Sequence, residues 1–253
     1  MSPLPQLTDL YGLGGEIHVY GLSLPLFPSD SIPRLLSLLD DDERERAARI
    51  RHPATQHSYT VVRACLRALL GRYLSIDPRS IRFVLGEKGK PRLAGTDPDQ
   101  GLVFNVSHSG ECGLIAFATN TALGVDVERQ RMMTDMEGIA QRCFSASEQA
   151  FWMALPPEHR LEAFYTLWCC KEAFVKGTGQ GIALGLESCV VRMDCQPRLV
   201  SIPEGYGLPD EWRLMGIDVP QGHCAEICYR GSERKLRHTD GAMLVNTLFN
   251  FAI

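Results

Sequence analysis

Between Pro53 and Leu74 the side chains of Val62, Cys65, Leu66, Leu69 and Tyr73 recur at three- and four-residue steps, which places them on one face of a helix. A second run of that period, from Pro157 to Lys176, aligns Leu161, Phe164, Leu167, Trp168 and Val175 and stops at Gly177, read as its C-cap. Ser145 and Glu148 have the spacing of a capping box and open a further apolar helical run. Ahead of Pro53, residues Asp40 to Arg51 crowd acidic side chains before Arg44, Arg46, Arg49 and Arg51, the pattern of a helix with a solvated charged face. The runs between are shorter and rich in Val, Ile, Leu and Phe, which predicts strands at Ile81–Leu85, Leu102–Val106, Gly113–Ala118 and Leu123–Val127. Later strands are predicted at Ser188–Met193, Glu211–Ile217 and His223–Tyr229. Gly86–Pro91 and Thr96–Gly101 read as polar turns, and the tail Gly231–Ile253, with Leu244, Val245, Leu248, Phe249 and Phe251, as a packing helix. Helices plus a run of strands in each half predict an α+β fold with mainly antiparallel sheets.

A chain of 253 residues makes one large domain or two small ones, and 45% hydrophobic with 22% charged residues excludes a wholly disordered chain. With 26 Lys plus Arg against 30 Asp plus Glu, the net charge of −4 gives no basic excess for a nucleic-acid backbone, so nucleic acid is not the expected partner. The uncharged stretch Cys112–Val125 is shorter than the ~20 apolar residues of a membrane span. No basic region precedes an apolar run at Met1–Leu4, so a cytoplasmic protein is expected. The nine cysteines are an odd number scattered among apolar neighbours, which points to reduced, buried thiols. Neither Cys169–Cys170 nor the set His223, Cys224, Cys228 has the paired spacing of a zinc site.

The chemistry gathers in three places. Leu123, Val125 and Val127 alternate with Gly124, Asp126 and Glu128, so a strand turns the valines to the core and both carboxylates to the other face. Two hard oxygen ligands there suit Mg²⁺, although the same pattern also fits a solvated polar face. On the helix ending at Lys176, the residues Trp168, Glu172 and Lys176 share one side at four-residue steps. A surface Glu–Lys pair would look the same, but Glu172 borders the apolar stripe and is expected to face a cleft. Phe104-Asn105-Val106-Ser107-His108-Ser109 runs a strand into a polar turn; adjacent Ser107 and His108 point apart and form no catalytic dyad, but suit phosphate binding. Lys88 and Lys90 add cations, yet Val84 stands where a P-loop needs glycine, and Gly177–Gly181 follows a helix where a dinucleotide fingerprint follows a strand.

Taken in order, Lys88-Gly-Lys-Pro91, Phe104-Asn-Val-Ser-His-Ser109, Gly124-Val-Asp-Val-Glu128, Phe144-Ser-x-x-Glu148 and Trp168-x-x-Lys-Glu-Ala-x-x-Lys176 closely resemble the 4′-phosphopantetheinyl transferases of the surfactin-synthetase-activating (Sfp) type. The resemblance covers roughly residues 40–195. It implies a pseudo-dimer of two similar α+β halves, residues 1–120 and 121–253, with coenzyme A and a metal in the cleft between them. The implied reaction moves the 4′-phosphopantetheine arm of coenzyme A to a serine of an apo acyl or peptidyl carrier protein and releases adenosine 3′,5′-bisphosphate. By the same resemblance Asp126, Glu128 and Glu172 bind Mg²⁺ or Mn²⁺, Glu172 or a metal-bound water that it orients accepts the serine proton, and Lys176 and Lys171 steady the phosphate charge. Ser107, His108 and Lys90 match coenzyme A phosphate contacts, Arg46 and Arg51 serve the 3′-phosphate or adenine, and Arg44 and Lys88 are alternates. Arg129–Cys143, with Met132, Met133 and Met136, lies where such enzymes meet the carrier, although methionines also serve as core filler. A monomer is expected. Two rival readings stay open: a coenzyme A-binding catalytic relic, and a metal-dependent phosphoesterase that activates water.

Overall fold

A computed structural model describes residue 13, residues 15–95 and residues 101–240. The predicted loop at residues 96–100 and the apolar tail at 241–253 lie outside the described residues. Strand β1 (Glu16–Ser23) leads to the short α1 (Ile32–Leu36), α2 (Asp41–Arg49) and the long α3 (Pro53–Leu74). A hairpin of β2 (Phe83–Leu85) and β3 (Pro91–Leu93) precedes β4 (Leu102–Ser109), β5 (Cys112–Thr119) and β6 (Leu123–Arg129). Helices α4 (Met136–Cys143), α5 (Ala146–Ala154) and α6 (Pro157–Thr178) follow, then β7 (Val190–Met193), β8 (Pro197–Ser201), β9 (Trp212–Gly216), β10 (His223–Arg230) and β11 (Lys235–Asp240). The fold is α+β, and among the described residues every strand pairing except β1 with β11 is antiparallel.

The four-stranded sheet has the order β11-β1-β5-β4 and the three-stranded sheet the order β6-β10-β9. Alternation along the strands builds the layers. Tyr20, Leu22, Ile115 and Phe117 turn toward α3 and join its apolar face in one core. Ile17, Val19, Leu114 and Ala116 turn the other way and meet Val125, Val127, Ala225 and Ile227 in a second core between the sheets. Phe164, Leu167, Ala173 and Phe174 of α6 pack with Trp212, Leu214 and Cys228 in a third. The valines of β6 therefore face the inter-sheet core, as predicted, and its even-numbered residues lie on the α6 side.

Several expectations change. The strand β1 carries no clear apolar alternation because His18 fills an inward position, where its Nδ1 lies 2.6 Å from the Tyr73 hydroxyl. The segment 235–240, expected as part of a helix, is instead a strand paired in parallel with β1. Helix α6 runs past Gly177 to Thr178 and is capped by Gly179 at φ 77°. The charged run at the start of α2 is not wholly solvated. Its Glu43 is buried and accepts from Arg63 and from fully buried Arg67, which docks α2 onto α3. All nine cysteines are free thiols, as expected, but Cys195 is exposed and Cys143 and Cys224 are only half-buried; among the described residues no helix is long and apolar enough to cross a membrane.

Candidate active site

Helix α6 lies against β6 at backbone contact. A Cβ on Gly124 would meet Ala173 O at 2.0 Å, so glycine alone lets the helix settle here. That approach carries Lys176 to Asp126: Nζ lies 2.6 Å from Oδ1, and also 2.9 Å from the Ser107 hydroxyl. The Asp126 carboxylate is 2% exposed, and its second oxygen, Oδ2, is buried without a hydrogen-bond partner. Glu128 accepts from the Ser109 hydroxyl at 2.6 Å.

Glu172 completes an acidic group. Burial first, then the charge of Asp126, pushes its pKa above the usual carboxylate value, with Lys176 opposing. Burial likewise raises Glu128, which also senses Asp126 and Lys176. Three carboxylates and one ammonium are thus held within electrostatic reach. Among the described residues no three His, Cys, Asp or Glu side chains converge into a ligating cluster; Lys176 supplies the counter-charge to Asp126. The residues nevertheless fit a hard divalent cation: the donors are all carboxylate oxygen, and the buried Oδ2 of Asp126 has no other use.

Beside the acids a cavity of about 220 Å³ opens between the β2–β3 turn, β4 and the end of α6. Lys88, Lys90, Lys176, Phe104 and Asn105 line it, so three predicted cations share one hollow. Lys90 donates to Leu123 O at 2.8 Å and to Gly177 O at 3.4 Å, tying the hairpin to β6 and α6 and leaving one of its three hydrogens free. Burial lowers its pKa to about 8. His108 is exposed, and desolvation together with the Lys176 charge holds its imidazole below the usual value.

Two predicted phosphate contacts are corrected. Lys171 does not reach the cleft. It is fully buried on another face of α6, 2.9 Å from Glu148, and donates to Leu186 O and Cys189 O. Ser107 is saturated: its hydroxyl donates to Asp126 Oδ1 at 2.9 Å and accepts from Lys176 Nζ and from Val127 N at 3.3 Å, which leaves nothing for a phosphate. Arg46 and Arg51 do not line the cavity. Arg46 lies 5.5 Å from the Tyr59 ring, and among the described residues neither arginine forms an ion pair, whereas Arg44 is held by Asp41.

Two family models divide this architecture between them. Residues 28–120 match "4′-phosphopantetheinyl transferase, N-terminal", and residues 122–228 match the "4′-phosphopantetheinyl transferase superfamily". A 4′-phosphopantetheinyl transferase HetI of Nostoc sp. (strain PCC 7120 / SAG 25.82 / UTEX 2576) is 33% identical over 87% of this chain and 90% of its own length. The chain belongs to the 4′-phosphopantetheinyl transferase family. The transferase Sfp of Bacillus subtilis (strain 168) is 32% identical over 84% of this chain and 92% of its own. A putative transferase, slr0495, of Synechocystis sp. (strain ATCC 27184 / PCC 6803 / Kazusa) is 35% identical over 75% of this chain. The protein is therefore a 4′-phosphopantetheinyl transferase, an enzyme that moves phosphopantetheine from coenzyme A onto carrier proteins.

Ser109, Glu148 and Asn105 are partners that sequence reasoning left without a role in the site. Ser109 and Asn105 carried a signal, since Asn105, Ser107 and Ser109 alternate along a strand as Gly124, Asp126 and Glu128 do. Glu148 forms the expected capping box and belongs to the Phe144-Ser-x-x-Glu148 motif, and its carboxylate also neutralises Lys171.

Proposed function

We propose that this transferase holds one Mg²⁺, or Mn²⁺ of the same octahedral preference, on Asp126, Glu128 and Glu172. The observation that carries the reading is the buried Asp126 carboxylate, with one oxygen on Lys176 and the other unpartnered, flanked by two acids whose pKa values are raised first by burial and further by its charge. When bound, the ion would neutralise pyrophosphate charge. The other roles fall to the protein. Lys176, 28% exposed at its side chain, offers its ammonium to the phosphates entering the cavity, with Lys88 and Lys90 beside it. Glu172 accepts the proton of the carrier serine. His108, although not a lining residue of the cavity, contacts a phosphate, and the guanidinium groups of Arg46 and Arg51 take the 3′-phosphate.

In this reading the two halves divide near residue 120, where the two family matches also meet. The acceptors are apo acyl or peptidyl carrier proteins, and the enzyme works as a monomer in the cytoplasm, whose reducing conditions suit nine free thiols.

Site variants test these assignments by the rate of phosphopantetheine transfer to an apo carrier. Glu172→Gln, Asp126→Ala and Lys176→Ala are each expected to lower the rate about 100-fold or more, with unfolding midpoints near wild type. Full activity in Glu172→Gln would remove it from the site.

A further inference from the structure

The seam between the two sheets is closed by side chains in place of a backbone ladder. Strand β4 ends the four-stranded sheet and β6 ends the three-stranded one, and no ladder joins them. Yet Val125 N donates to Asn105 Oδ1 at 2.9 Å, Val127 N to Ser107 Oγ at 3.3 Å, and Arg129 N to Ser109 Oγ at 3.1 Å. Three alternate residues of β4 thus satisfy three alternate amides of β6, whose opposite edge is already paired with β10. Removing them would leave edge amides unpaired, which costs free energy where they are buried.

The two serines do more than pair amides. A hydroxyl has one hydrogen and two lone pairs, and each serine spends its hydrogen on the carboxylate one residue before the amide it binds. Ser107 donates to Asp126 Oδ1 at 2.9 Å, and Ser109 donates to Glu128 Oε2 at 2.6 Å. The third position breaks this unit for a reason: opposite Asn105 the chain has Gly124, where the helix backbone leaves no room for a side chain. Each acid is therefore fixed by a residue from the other sheet, and the hydroxyls stand two residues apart, as the acids do.

We propose that Ser109 is a positioning residue of the transferase, aiming one oxygen of Glu128 and, with Ser107, setting the spacing at which Asp126 and Glu128 meet the divalent ion. The inference rests on the assignment of these acids as metal ligands. It predicts that removing the Ser109 hydroxyl weakens the ion's hold without touching the coenzyme A cavity, of which Ser109 is not a lining residue. Partners that orient a metal ligand are typically worth 10- to 100-fold in metal affinity.

The experiment titrates Mn²⁺ into wild type, Ser109→Ala, Ser109→Thr and Glu128→Gln, reading free ion by electron paramagnetic resonance. Thermal midpoints, and the KM for coenzyme A at saturating Mn²⁺, are measured in parallel. Ser109→Ala is expected to bind Mn²⁺ about 10-fold more weakly with both parallel readouts near wild type. Ser109→Thr, whose branched side chain suits a strand, is expected to restore the affinity. Wild-type Mn²⁺ affinity in Ser109→Ala would overturn the proposal, even if the midpoint fell, because Ser109 would then be a structural tie only. Equal weakening in Ser109→Ala and Ser109→Thr would overturn it too. Unchanged affinity in Glu128→Gln would instead remove the ligand assignment beneath it.

Discussion

Gly124→Ala puts the positioning of the site to a quantitative test. The added Cβ would lie 2.0 Å from Ala173 O, 2.4 Å from Gly177 N and 3.0 Å from Gly177 Cα. Carbon atoms in contact sit about 3.5 to 4.0 Å apart. All three obstacles are backbone atoms of α6, so no rotamer change relieves them, and the helix must lift by roughly 1 Å or more. An extra methylene in a packed core costs about 1 to 3 kcal/mol when side chains can adjust. Here the cost is expected at about 3 kcal/mol or above. At about 2 to 4 °C per kcal/mol for a chain of this size, the midpoint should fall by roughly 6 to 12 °C. Ala173 follows Glu172 and Gly177 follows Lys176, so the lift opens the 2.6 Å contact between Lys176 and Asp126. Displacement of that size costs on the order of 100-fold in rate. Thermal melts by circular dichroism, followed by transfer rates below both midpoints, read the two effects separately. A midpoint within about 2 °C of wild type together with an undiminished rate would refute the argument that helix backbone contact builds this site.

Two further perturbations separate fold from chemistry. Lys171→Met leaves the buried Glu148 without its cation, an uncompensated charge that costs about 3 to 5 kcal/mol. The midpoint should drop by roughly 6 °C or more while the KM for coenzyme A stays unchanged; a raised KM at a normal midpoint would return Lys171 to the phosphates. Burial pushes the Glu226 carboxyl up to about 8 from 4.5. The folded protein keeps this proton while the unfolded chain releases it, so the stability is complete below 4.5 and declines as pH rises toward about 8. The slope reaches about 1.4 kcal/mol per pH unit, and Glu226→Gln should remove that decline in denaturant titrations at pH 5 and pH 8. Parallel pH dependence in the two proteins would contradict it.

Local periodicity made the centre of the molecule legible. The stripe of α6 and the alternation of β6 are written in consecutive residues, and with the helix packed on the strand they bring Asp126, Glu128, Glu172 and Lys176 within electrostatic reach of one another. What the sequence hides is pairing across long separations. Strand β11 is mostly polar and exposed, so nothing in Lys235–Asp240 signals a partner more than 200 residues earlier in β1. Lys171 and Lys176 sit on one helix with similar neighbours, and only the position of Glu148 reveals which lysine is structural. Ser107 has the chemistry of a phosphate contact until β6 arrives to use all of its hydrogen-bonding capacity. The helical and strand periods were local properties, whereas these assignments depend on which surfaces meet.

Intact-mass spectrometry of an apo carrier protein decides whether transfer at the acids of β6 and α6 needs the metal. The carrier is incubated with this enzyme, coenzyme A and Mg²⁺, then with chelator, then with Mg²⁺ restored. The expected result is a gain of one phosphopantetheinyl group that the chelator abolishes and Mg²⁺ recovers, and that Asp126→Ala produces about 100-fold or more slowly at every Mg²⁺ level. Transfer undiminished by chelator, or carrier left unmodified while coenzyme A is hydrolysed, would contradict it.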